Sequence, residues 1–74
     1  MILKQTEKDA QTLTRALEFI RQDRDRFNLL YVDFKCGFQS GTSTRLLNGF
    51  RKTLEPENIK KLVAVLKEKY NYKP

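Results

Sequence analysis

The sequence predicts a mainly helical domain of four helices, on three observations. Apolar residues recur at helical spacing in two stretches, one near each end of the chain. Two stops, Gly37 and Asn48-Gly49, cut the middle into short segments, because glycine and asparagine tolerate the left-handed backbone that ends a helix. With 74 residues there is material for one domain and one modest core, so the helices must bury their stripes on each other.

The first helix is expected over residues 6–26. Ala10, Leu13, Leu17 and Ile20 form one apolar stripe with Ala16 beside them. Thr6 is suited to the N-cap, with Asp9 three positions on as a weak acidic partner. The end of this segment, Arg21 to Arg26, is entirely polar. Asp23 and Asp25 lie two apart, so on a helix they do not share a face, and arginines flank them. A solvated, salt-bridged end is expected there, not a metal or acid/base pair.

Residues 28–36 admit two readings. Leu30, Val32, Phe34 and Cys36 alternate in the manner of a half-buried strand, and their residue types favour one. Asn28 is nevertheless a good N-cap, and Phe27, Leu30, Val32, Phe34 and Cys36 would also supply a short, mostly buried helix. The spacing of the segments C-terminal to Gly37 favours a helix over 29–36. The alternative is an α+β protein with a strand at 29–36, paired with residues 2–4, residues 70–73 or a second chain.

Phe38 to Asn48 gives a third helix, expected over 39–48, with Leu46 and Leu47 inward. A basic loop, Phe50-Arg51-Lys52, comes next. Pro56 suits a first helical position. Ile59, Leu62, Val63, Leu66 and Tyr70 then form the cleanest apolar stripe in the chain, for a helix over 56–70. Residues 1–5 and 71–74 are expected to fray.

Composition narrows the function classes. Net charge is +6, with a balance of +1 over residues 1–42 and +5 over residues 43–74. Such a bias points to an anionic partner. With one cysteine and no histidine, a zinc site lacks its ligands, and neither Ser40, Ser43, Thr44 nor Cys36 has a histidine to activate it. Gly37 and Gly41 lack the Gly-Lys-Ser/Thr ending of a phosphate-binding loop. The chain is expected to be no enzyme and to need no cofactor, metal or small-molecule substrate. The apolar start, Met1 to Leu3, is too short for a secretion signal and no run approaches a membrane span, so a soluble, cytoplasmic protein is expected.

Residues 34–54 carry four basic side chains and no acidic one. Within that stretch, the run Gly37-Phe38-Gln39-Ser40-Gly41-Thr42-Ser43-Thr44-Arg45-Leu46-Leu47-Asn48-Gly49 is followed by Phe50-Arg51-Lys52 and the stripe Ile59, Leu62, Val63, Leu66. This pattern resembles the Cro/CI-type (lambda repressor-like) helix-turn-helix DNA-binding family: a turn glycine, an apolar residue, a short polar recognition helix, an Asn-Gly stop, a basic loop and a closing helix. Phe27-Asn28 and Val32 fall where that family has the entry, the cap and a core residue of its scaffold helix.

The resemblance, which covers about residues 13–68, implies a small transcriptional regulator of phage or mobile-element type. It would bind double-stranded DNA, as a dimer reading paired half-sites. Gln39, Ser40, Thr42, Thr44 and Arg45 would meet base edges, Gln suiting adenine and Arg guanine. Lys35, Arg51 and Lys52 would sit over phosphates, and Phe38 and Leu46 would anchor the helix inward. Two residues depart from the family pattern. Asp33 stands where a small residue is wanted against the turn, and a carboxylate there is expensive to bury. Ser43 stands where the recognition helix places an aliphatic anchor. Either the register differs or the middle segment is not a helix.

Two other partners fit the composition. If 29–36 is a strand, the chain reads better as a small inhibitor or accessory factor whose basic face docks on an acidic protein. RNA binding is a third reading, with Tyr31, Phe34, Phe38 and Phe50 as stacking platforms, although core placement of these aromatics is the expectation.

Overall fold

The computed structural model describes residues 7–73, and the expected Thr6 cap and fraying of residues 1–5 lie outside them. The described chain is mainly helical and contains no strand. Four α-helices succeed one another: α1 (Glu7–Gln22), α2 (Leu29–Cys36), α3 (Thr42–Asn48) and α4 (Pro56–Tyr70), with a 3-10 turn at Arg24–Arg26 between α1 and α2. The first segment therefore ends as an α-helix four residues before its expected limit. The polar run beyond it holds only one 3-10 turn, closed by the exposed Arg26–Asp23 pair at 3.4 Å.

Residues 29–36 are a helix, and the strand alternative falls away. Asn28 caps it by accepting from the Tyr31 backbone N–H at 3.1 Å. Gly37, at φ +76°, ends it, with Phe38 N–H turned back onto the Asp33 carbonyl at 2.8 Å. The buried positions are Val32, Asp33 and Cys36, with Leu29 half-buried beside them. That is helical spacing; the alternation in the sequence arises because Leu30 and Phe34 are apolar at exposed positions while the inward position 33 is an aspartate.

The core gathers Leu13, Ala16, Leu17 and Ile20 of α1, Val32 and Cys36 of α2, Leu46 and Leu47 of α3, and Ile59, Leu62 and Leu66 of α4. Ala10 is exposed and lies outside it. Leu54 closes the loop before α4 over the same core. The tail is ordered through Tyr72: Asn71 adopts the left-handed conformation, Tyr72 N–H donates to the Leu66 carbonyl at 3.1 Å, and the Tyr72 ring packs 4.5 Å from that of Phe19. Within the segment expected to fray, Tyr72 thus packs against α1 through an aromatic contact. Pro74 lies outside the described residues.

Candidate nucleic-acid interface

The segment joining α2 to α3 is a turn through Gly37 to Gly41, and α3 begins three residues later than expected. Gly41, at φ +95°, stands at the N-cap of α3 and has no side chain to supply a cap. The capping acceptor comes from α2 instead. The Asp33 carboxylate, buried at 2% exposure, accepts from Gly41 N–H at 2.8 Å, from Ser43 N–H at 2.9 Å and from Ser43 Oγ at 2.6 Å. The two residues that depart from the family pattern are therefore partners of each other. The burial cost of the carboxylate is met by three donors and by the positive end of the α3 dipole.

The other end of α3 is held from α1. The Arg21 guanidinium donates to the carbonyl of Leu47 at 2.9 Å and approaches that of Leu46 at 3.5 Å. A cation at the helix C-terminus complements the dipole there. Gly49, at φ +81°, ends the helix, and both Phe50 and Arg51 N–H turn back onto the Arg45 carbonyl. A seven-residue helix is too short to stand alone in water, so these two clamps and the burial of Leu46 and Leu47 hold it.

The remaining face of α3 is outward. Gly41, Thr44, Arg45 and Asn48 lie at spacings of three and four residues, on one side of the helix, and Arg45 and Asn48 are exposed. Gln39 and Ser40 are exposed in the turn that precedes it. Thr42 is not among them: it is 4% exposed, its Oγ1 donating to the Gln39 carbonyl at 2.8 Å, because the helix starts at this residue and its side chain folds back onto the preceding turn. Asn48, which reads in sequence only as part of a stop signal, completes the outward stripe. Its position three residues beyond Arg45 was the available clue.

The three candidate phosphate-contacting cations are placed differently. Lys52 is exposed just past the end of α3. Arg51 is half-buried and partly engaged, its Nε donating to the Thr53 carbonyl at 3.0 Å and its Nη2 lying 3.5 Å from Glu55 Oε2. Lys35 projects about 200° around α2 from Asp33, which faces α3. Its Nζ instead lies 5.9 Å from the Tyr31 ring centroid, where Lys69 of α4 also approaches to 5.4 Å. Lys35 is therefore not brought onto the α3 face.

Among the described residues no carboxylate competes along the outward stripe. Asp33 is internal and fully hydrogen-bonded. Glu55 is held below the usual carboxylate range by its own backbone N–H and by the Asn58 side chain at 2.8 Å, with Arg51 adding to the effect. Among the described residues Arg45 and Lys52 have no ion-pair partner. The candidate stacking aromatics divide: Tyr31 and Phe38 are half-buried, whereas Phe34 and Phe50 are 78% and 84% exposed and are not core residues. No protein-family model matches the chain, and neither does any curated protein or solved structure.

Proposed function

We propose that the chain binds duplex DNA through α3 and acts as a small sequence-specific transcriptional regulator of the repressor type found in phages and mobile elements. The observation that carries this reading is the outward stripe Thr44, Arg45 and Asn48, free of acidic side chains and presented by a helix whose other face is fixed by Asp33 and Arg21. Short hydrogen-bonding side chains with one arginine are what base edges in a major groove require. Gln39 and Ser40 extend the set at its N-terminal end, while Lys52, with Arg51 in support, lies where a phosphate contact adds affinity without sequence information. Dimerisation accompanies this reading, since one seven-residue helix reads few base pairs and such domains pair two half-sites.

The test is titration of labelled random-sequence duplex with the protein at two salt concentrations, then selection of a preferred sequence. Two phosphate contacts give about a tenfold loss of affinity between about 50 and about 200 mM salt. Absence of binding, or affinity indifferent to salt, overturns the reading. The exposed rings of Phe34 and Phe50 favour a second reading, single-stranded RNA bound by stacking. Phe34→Ala and Phe50→Ala separate the two, for they weaken binding of single-stranded RNA under the second reading and leave duplex affinity unchanged under the first.

A further inference from the structure

A groove of about 480 Å³ runs between the first turns of α1 and the middle of α4, and no residue of α2 or α3 lines it. Its floor is apolar: Ile59 is buried, Val63 half-buried and Ala64 exposed. Its rim is basic, with Lys8 on the α1 side and Lys60 and Lys67 on the α4 side, against Asp9 as the single acidic residue of the lining. None of the three lysines has an ion-pair partner among the described residues.

We propose that this groove docks an acidic amphipathic helix of a partner protein. Charge complementarity around an apolar floor selects that occupant. Nucleic acid would match the lysines but leave Val63 and Ala64 without an apolar partner. A second copy of the chain, itself carrying a net charge of +6, would bring like charge to a basic rim. Lys60 and Lys67 are seven residues apart, about 10 Å along the helix axis, the separation of two carboxylates two turns apart on an opposing helix. Between those carboxylates, leucines at the third and fourth positions would meet Val63 and Ala64, the way amphipathic helices anchor in grooves. The site is independent of the α3 reading and would place a protein contact on a surface separate from the reading helix.

The experiment uses the full chain, isotope-labelled for amide spectra, and a designed helical peptide with the pattern Glu-x-x-Leu-Leu-x-x-Glu. A control peptide carries Lys in place of both Glu. The acidic peptide is expected to shift the amides of Thr12, Val63 and Ala64 and to leave Thr44 and Asn48 in place. The double variant K60E/K67E, at exposed positions that the fold does not need, is expected to bind the acidic peptide at least about tenfold more weakly and to gain affinity for the control. The proposal is overturned if no amide moves at about 1 mM peptide, if Arg45 and Lys52 move as much as the groove, or if the double variant binds unchanged. Groove amides that move with protein concentration alone, without peptide, would assign the surface to self-association and overturn it equally.

Discussion

The hydroxyl of Ser43 donates to the carboxylate of Asp33 at 2.6 Å, across the junction of α2 and α3 and out of contact with water. Each residue taken alone looks misplaced. Together they form a remote N-cap, a carboxylate of α2 serving the first donors of α3.

Removing the carboxylate is expected to cost about 2–4 kcal/mol, because Asp33→Ala leaves the Gly41 and Ser43 donors unsatisfied in a buried place. Ser43→Ala alone should cost about 1 kcal/mol, since the carboxylate keeps two backbone partners. The double change D33A/S43A is expected to cost little more than Asp33→Ala alone, since the Ser43 hydroxyl has already lost its acceptor. Denaturant unfolding of the four proteins closes the cycle. Strict additivity would show that the two side chains do not act as a pair.

DNA titration should separate Arg45 from Lys52. Arg45→Ala is expected to relax sequence preference, with about 1–3 kcal/mol lost on the preferred site and little on random duplex. Lys52→Ala should weaken all sequences alike and shallow the salt dependence by about one contact. Lys35→Ala, on the flank turned toward Lys69, should change neither. A loss of preference shared equally by Arg45 and Lys52 variants would relocate the reading surface.

Tyr72→Ala should destabilise the domain by about 2 kcal/mol, through loss of the contact with Phe19 and of a nearly buried ring. For a domain of this size that corresponds to a fall in melting temperature on the order of 10 °C. An unchanged transition would mean that the tail contributes nothing to the core.

Cys36 offers a chemical check on the core. Burial, with the Asp33 carboxylate adding, pushes its thiol up to about 11 from 9.0, against a smaller opposing effect of Lys61. The folded thiolate fraction near pH 8 is then about 100-fold below that of the unfolded chain, and thiol reagents should react correspondingly slowly with the native protein. A group whose folded value is raised contributes its stability below about pH 9, and that contribution fades as pH rises toward about 11. Equal labelling rates in buffer and denaturant would contradict a buried Cys36.

The bounds of α2 and α4 are legible in the sequence because their signals are local, Asn28 and Gly37 bracketing one and Pro56 starting the other, although the residue types of 28–36 also allowed a strand. What is not legible depends on residues far apart in the chain. Asp33 reads as a cost until Gly41 and Ser43 are seen beside it, and Arg21 reads as a solvated end until the carbonyls of α3 meet it. The inward turn of Thr42 depends on where α3 starts, which neither Gln39 nor Ser40 determines. Tyr72 is hidden for the same reason, its partner Phe19 lying across the fold. Within the candidate site, Thr44 and Arg45 lie on α3, Gln39 and Ser40 are exposed in the turn before it and not in the expected helix, and Lys35 faces elsewhere because residues two apart on a helix do not share a side.

The double clamp on α3 has a consequence for the order of events during folding. Seven residues cannot nucleate a lasting helix, and both of its anchors, Asp33 and Arg21, belong to helices that must first be in place. α3 is then expected to be the last helix to acquire its shape, after α1, α2 and α4 have met. Destabilising changes confined to its buried face should accelerate unfolding and leave the refolding rate nearly unchanged, which stopped-flow kinetics on Leu47→Ala would register.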